Sequence, residues 1–507
     1  MNIAVEKKIQ SFLEKSASKL LPLMQADVPN KIHSLVALSL ARIKTPPCRE
    51  QVKIYFKNNP DEEDSIKAIS LIGGEDAANL LIERIKSKTA RNRDVIADEL
   101  GNFKQPFIIE NLKEFLCDED RHVRYQAANS LFKIGGQSCA LAMCKYISDP
   151  DEWISMTILK HLCRLKEHET IPFLAEHFAR DSDIRRKAIM VSFLSRFKSI
   201  TLVNIFDEGL KFGDARLKAN SIEAIGELEL PQREIKLRIA PFIKDPNNRI
   251  KANAILALAK SEPNLIQSEI EEMINSSDVQ LRRSGAYILG QIPSKGNEDY
   301  ARQLIEDPSD DVRKRMVLSL RNFSPEFAVS QLERTIFDRN NWNRKYSVDI
   351  AKEMPNFPKE PILKQFKSET SAGNLIACMS FFARYPDEEA VRLIKQRVKD
   401  KRRAVVCEVI RAIGAIKKID GLLGIAPQID QKDPFILKAF VTNLFSLGKI
   451  DVFESTLEKA AILKRPPMND LYLPSIDGCL EILNQGDRIP IGLMNELSGN
   501  TSVPTTT

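Results

Sequence analysis

Residues 118–135 read DEDRHVRYQAANSLFKIG, and their order of turn, basic residue, small residue and leucine returns along the chain. It is plain again in residues 245–259 and 307–320, and looser in 181–193 and 277–290. With the register set on the residue before the basic one, the series is Asn92, Val123, Ile154, Ile184, Ala215, Ile250, Leu281, Val312, Asn343, Asn374, Val405 and Ile436. Its steps are 31, 31, 30, 31 and 35, followed by six of 31. A period of this length means a supersecondary unit too small to bury its own apolar face, stable only when stacked on its neighbours. Ile32 fits upstream, a weaker unit lies near residues 61–73, and a degenerate one near 471–483 brings the count to about 14–15.

Each unit reads as two helices. In the second, the frame residue and those four and eight positions later share one face, as in Val123, Ala127 and Leu131, or Ile250, Ala254 and Leu258. The small middle residue admits a neighbouring helix closely. The first helix is a shorter apolar-periodic segment, as in residues 111–117, 141–147 and 391–398. Asp-Pro at Asp149, Asp245, Asp307 and Asp433 punctuates the turns. Gly101, Gly135, Gly290, Gly414 and Gly448 follow the second helices as expected terminators. Units near Glu63, Asn374 and Pro467 depart from the pattern, and altered stacking is expected there.

A helical pair of 31 residues with D…VR…A…L resembles the HEAT repeat, in particular its short PBS-lyase HEAT-like form. The resemblance implies an all-α fold, an α-solenoid whose second helices line a concave face. The expected organisation is an N-terminal helical cap (1–30), a repeat solenoid (31–450), a degenerate C-terminal cap (451–498) and a disordered polar tail (499–507). An aspartate six residues before the basic position recurs as Asp118/Arg124, Asp245/Lys251, Asp307/Arg313 and Asp338/Arg344, whereas Asp149 and Asp400 face Ser155 and Val406. In HEAT-like repeats such groups form a ladder across successive turns. That gives the basic column Arg93, Arg124, Arg185, Arg216, Lys251, Arg282, Arg313 and Arg344 a structural role as the expected one, with a phosphate-binding stripe as its rival.

Composition narrows the function classes. In 507 residues, 75 Lys and Arg against 69 Asp and Glu leave a charge of +6, which by itself does not imply a nucleic-acid partner. No run is long and apolar enough to insert in a membrane. The eight cysteines form no CxxC pair and read as buried small hydrophobes of a cytoplasmic chain. Phosphate-loop, nucleophile-elbow, zinc-protease and dinucleotide motifs are missing, so no catalytic residue, metal ligand or cofactor is assigned. His161, Cys163, His168 and His177 make a conceivable metal cluster, but its spacing does not close around one ion.

The surface candidates are few. The densest basic stretch, KQRVKDKRR, holds Lys395, Arg397, Lys399, Lys401, Arg402 and Arg403; RIKSKTARNR follows at residues 84–93. Either seats phosphate or an acidic partner segment if it is not a solvated turn. Asp61–Asp64 is an acidic run with the same two readings. Trp153 and Trp342 each sit one residue before the register position, either covering a ridge between units or anchoring a ligand. The expected function is therefore a non-catalytic scaffold or adaptor for protein partners, with neither oligomeric state nor binding face fixed. The alternatives are a nucleic-acid-binding HEAT-like protein, as in HEAT-like DNA glycosylases, and a bilin lyase-type or chaperone subunit. The glycosylase reading would need aligned basic residues and aromatics from several units.

Overall fold

The computed structural model describes residues 14, 17–18, 20–26, 30–87, 89–259, 262–430 and 432–447; the expected C-terminal cap and tail, Gly448 and most of the expected N-terminal cap lie outside them. Among the described residues every regular element is a helix. The chain divides into two compact units, one of Arg93–Met354 and the other of Met1–Asn92 with Pro355–Thr507.

In the unit Arg93–Met354, second helices run Arg93–Leu100, Arg121–Ile134, Glu152–Leu165, Ile184–Leu194, Ala215–Glu227, Asn248–Leu258, Val279–Gln291, Asp310–Ser319 and Asn341–Ala351. Each packs on the next second helix in the series, with a first helix between them in sequence. The first helices begin earlier than apolar periodicity indicates, as Pro106–Phe115 and Gln137–Cys144. The opening turn of Gln137–Cys144 is polar or small, whereas Pro106–Phe115 opens on Phe107, Ile108 and Ile109, of which Ile108 is wholly buried. The core follows the expected face: Val123, Ala127 and Leu131 are wholly buried, as are Ala254 and Leu258. Burying such side chains contributes on the order of 1.5–3 kcal/mol each for the larger ones.

Second helices are also pinned to each other by single polar side chains. Ser130 Oγ donates to the Ala97 carbonyl (2.7 Å), Asn220 Nδ2 to Ala188 (2.7 Å), Asn253 Nδ2 to Ala219 (2.8 Å) and Ser319 Oγ to Ala286 (3.1 Å). Close approach is what Gly290 provides: a Cβ there would lie 2.5 Å from Ser319 Cβ and 3.2 Å from its Cα. Gly290, inside helix Val279–Gln291, thus serves packing rather than the helix termination expected of it; Gly101 directly follows helix Arg93–Leu100 and also admits Ser130, and Gly135 ends its helix with φ 77°.

The other unit holds Asn30–Ile43, Pro46–Asn58, Glu63–Ile72 and Glu75–Lys86, and then Lys359–Ser368, Ala372–Arg384, Glu388–Gln396, Arg403–Ile425 and Pro434–Ser446. The helices at Glu63 and Asn374 are regular; the break falls at Lys418, whose φ of 54° divides Arg403–Ile425 in two. No described helix is long and apolar enough to cross a membrane. The seven described cysteines are free thiols.

Candidate protein-binding surface

Most second helices of the unit Arg93–Met354 start on a residue whose side chain accepts the first free backbone amides: Asp120, Asp151, Asp183, Asp214, Asn247, Asp278 and Asn340. Counting from these caps gives a firmer register than counting from the first basic residue. Four residues on lie Arg124, Ser155, Lys187, Lys218, Lys251, Arg282 and Arg344, with Arg313 likewise placed after Ser309. Two residues on lie His122, Trp153, Arg185, Arg216, Arg249, Gln280, Asp311 and Trp342, all exposed.

The position four residues on is structural. Arg124 meets Asp149 of the following repeat (Nε–Oδ2 2.9 Å), Arg282 meets Asp307 (2.7 Å), Arg313 meets Asp338 (2.8 Å), and Arg93 meets Asp118. Each pair spans 25 residues. The residue six before the arginine supplies its backbone carbonyl: Arg124 donates to Asp118 O (2.9 Å), Arg282 to Ser276 O (2.9 Å), Arg313 to Asp307 O (2.8 Å) and Arg344 to Asp338 O (2.9 Å). Where it is an aspartate, its carboxylate closes the turn instead, Asp307 accepting from the Ser309 amide and Asp338 from that of Asn340, both at 2.8 Å. Asp245 likewise accepts from Asn247, while Lys251 turns to Glu269 (2.8 Å) and Glu272 (3.1 Å), so Asp245 and Lys251 are not joined.

Arg185 and Arg216 therefore do not belong to the ladder in which sequence spacing put them. In their helices the ladder position holds Lys187, which reaches Glu208 at 3.6 Å, and Lys218. Counted from the caps, the uneven steps of 30 and 35 become 32 and 33. That unevenness was the available signal of a slipped register. Among the described residues neither Arg185 nor Arg216 has an ion-pair partner, and Arg249 donates to a neutral acceptor, Asn220 Oδ1, at 2.6 Å. With Glu152, Met156, Ile189, Phe193, Asp214 and Asn220 these three arginines line a groove of about 610 Å³ across four successive second helices.

Trp153 continues the same exposed row, 53% exposed and stacked on Tyr125 with ring centroids 4.0 Å apart. Trp342 is 57% exposed and its ring lies 6.5 Å from that of Tyr346. Neither indole is used up in covering the core.

The basic stretch in the other unit is partly spent. Arg402 holds Asp400 with two bonds (2.8 and 2.7 Å) and the Thr370 carbonyl with a third, and it holds the Asp400 carboxyl down to about 2. Arg403 pairs with Asp433 at 2.7 Å and lies 4.5 Å from the Phe435 ring centre. Lys395, Lys399 and Lys401 remain exposed, and Arg397 is half-buried. In residues 84–93, Arg84 is bound by Asp61 (2.5 Å), and Arg93 by Asp118. Of the acidic run, Asp61 thus serves as an internal anchor.

A cavity of about 320 Å³ lies where Ser155 interrupts the ladder, lined by Cys144, Ser148, Phe173, His177, Asp181 and Arg186 among others. Ser148 Oγ is 3.4 Å from His177 Nδ1, and His177 Nε2 is 3.3 Å from Asp181 Oδ2. This order of serine, histidine and carboxylate does not make a nucleophile. Although burial opposes its ionisation, bonds from Arg186 and the Asp183 amide hold the Asp181 carboxyl below the usual range. Burial, offset in part by Asp181, lowers His177. With its affinity for a proton lowered overall, and Ser148 Oγ 3.4 Å away, His177 is a poor base for that hydroxyl. His161 and Cys163 are not part of it, and among the described residues no group of three His, Cys, Asp or Glu side chains could hold a metal ion.

No family model and no curated protein matches the chain. Among solved structures, Kap95 in its complex with Nup1 aligns over 97% of this chain and 83% of its own length, at 11% identity and a TM-score of 0.49. Kap121p bound to Pho4p aligns over 94% of this chain at 12% identity and a TM-score of 0.37; the chain spans 66% of its length. Human deoxyhypusine hydroxylase in complex with glycerol aligns over 61% of this chain and 96% of its own, at 14% identity and a TM-score of 0.23. Likenesses this low say nothing of what the chain binds. Its own geometry speaks for the fold: helical pairs about 31 residues long, joined through their second helices and tied by a charge ladder, make it an all-α solenoid of HEAT type.

Proposed function

We propose that the chain is a non-catalytic scaffold that holds protein partners on the exposed row of its second helices. One observation carries this reading: Trp153, Arg185, Arg216 and Arg249 stand in one exposed row, and the ladder that occupies other basic residues leaves them unused. Tryptophan and arginine are the residue types that most often anchor protein interfaces. A cytoplasmic location belongs to the same proposal and is supported by the free thiols.

Site-specific crosslinking in the native cell tests it. A photo-crosslinking amino acid at Trp153 should form discrete protein adducts, whereas the same group at Leu237, a 70%-exposed side chain on a first helix, should not. Equal adduct formation at the two positions would remove the second-helix row as the binding surface.

A further inference from the structure

The groove at Arg185, Arg216 and Arg249 has a chemistry more definite than that of a general protein surface. We infer that its occupant is an extended acidic segment of a partner protein, with carboxylates at every third residue and an apolar residue three positions before the first of them. This rests on the scaffold reading above and names the partner that reading leaves open.

The argument starts from spacing. The three arginines occupy the same position, two residues past the cap, on three successive second helices. Packed helices lie about 8–10 Å apart, so the guanidinium-bearing positions recur at about that interval. An extended segment in the polyproline II conformation advances about 3.1 Å per residue and completes a turn every three residues, so every third side chain returns to the same face after about that distance. Side chains at positions i, i+3 and i+6 of such a segment can therefore meet Arg185, Arg216 and Arg249 in turn. One helix further along the row stands Trp153, with its exposed indole.

Charge decides the sign of the occupant. Two carboxylates line the groove against three arginines, and among the described residues neither pairs with one of them; Asp214 accepts from the Arg216 and Leu217 amides at 2.9 Å as the helix cap. Glu152 lies within electrostatic range of Arg186, whose affinity for its proton it helps to raise. Among the described residues none of the three guanidiniums forms an ion pair, although Arg249 lies within electrostatic range of Glu223, and each can bind a carboxylate through two parallel hydrogen bonds.

The same inventory disfavours a nucleic-acid strand. A phosphate backbone needs positive charge sustained along its path. Here the row changes character after Arg249, passing to Gln280 and then Asp311, and the groove floor is Met156, Ile189 and Phe193. A short acidic segment fits three charges over an apolar floor; a longer polyanion would meet Asp311.

The test uses the full chain and a fluorescent synthetic peptide with one leucine and three aspartates at three-residue intervals, in a Gly/Ser background. Anisotropy at low salt should show saturable binding that is lost at high salt. Reversal of one charge, Arg216→Glu, should weaken it about tenfold. Arg233→Glu, on a first helix, should leave it unchanged, and thermal melts should show all three proteins folded. A peptide of equal composition with its aspartates adjacent should bind more weakly. Equal binding of the two peptides, or an Arg216→Glu variant that binds like the parent, would overturn the inference. So would a single-stranded oligonucleotide that binds more tightly and is lost in the same variant. If the spaced peptide fails while Trp153 still crosslinks to protein, the scaffold reading stands and this one falls.

Discussion

His161 shows how one residue of this chain responds to pH. It lies on helix Glu152–Leu165, stacked on Phe132 with ring centres 4.2 Å apart, and its Nε2 is 2.8 Å from Asn129 Oδ1. An amide oxygen accepts, so the imidazole carries its proton on Nε2, and Nδ1 is buried without a partner. Burial first, and the charges of Arg164 and Lys160 after it, lower this histidine from 6.5 to about 4. The folded state therefore resists the proton that the unfolded chain accepts. The contribution of neutral His161 is fully present above pH 6.5 and is lost as pH falls through about 4. His177 is shifted in the same direction, so stability should decline over this interval even without His161. His161→Gln keeps a donor for Asn129 but cannot take up charge. Its Tm deficit relative to the parent should shrink as pH is lowered from 6.5 toward 4; a deficit that stays constant would mean that His161 does not titrate with folding. Nothing in the sequence marked this histidine apart from a doubtful metal cluster, because its environment is made by Asn129 and Phe132, one repeat earlier.

At the level of the helix, the ladder arginine works between elements and not within its own. Arg313 is 5% exposed and Asp338 6%, and the pair joins the repeat of helix Asp310–Ser319 to that of Asn341–Ala351. Arg313→Ala would leave the Asp338 carboxylate buried with the Asn340 amide. Removing one member of a buried pair costs on the order of 3–5 kcal/mol, and that loss is the expected effect in chemical denaturation. Arg185→Ala should change stability by less than about 0.5 kcal/mol, as surface substitutions do. Equal losses in the two variants would show that the two columns are one. These columns were only half legible in the sequence. Helical pairing, the buried face of Val123, Ala127 and Leu131, and the recurrence of Asp and Arg all follow from local periodicity. Which arginine faces a neighbouring repeat depends on where the helix starts, and the caps at Asp183 and Asn247 come one and two residues later than a 31-residue step from Asp151 and Asp214 would place them. A slip of two residues turns a side chain through about 200° on a helix of 3.6 residues per turn, from buried seam to open face.

Within the unit Arg93–Met354, the interrupted ladder and the exposed row coincide. The ladder's Arg–Asp pairs run from Arg93 to Asp149 and resume from Arg282 to Asp338. Between them Ser155 replaces the arginine, Arg186 turns back to Asp181 of its own repeat, and lysines fill the next three ladder positions. The helices that lack the ladder are those that present Arg185, Arg216 and Arg249. In a linear array, stability is nearly the sum of neighbour terms, so a weaker term lowers protection locally rather than throughout. Asn220 and Asn253 still bridge the second helices here, and Arg238 meets Asp207 at 3.1 Å, so the stretch remains folded with fewer charged ties. Hydrogen exchange of the full chain should accordingly show faster exchange in helices Ile184–Leu194 and Ala215–Glu227 than in Asp310–Ser319 and Asn341–Ala351. Binding the spaced acidic peptide should slow the first pair and leave the second unchanged, because its carboxylates would supply charged ties between repeats that the missing ladder does not. Uniform exchange across these four helices in the free protein would mean that the ladder contributes little to coupling between repeats. The groove would then owe its position only to which side chains face outward.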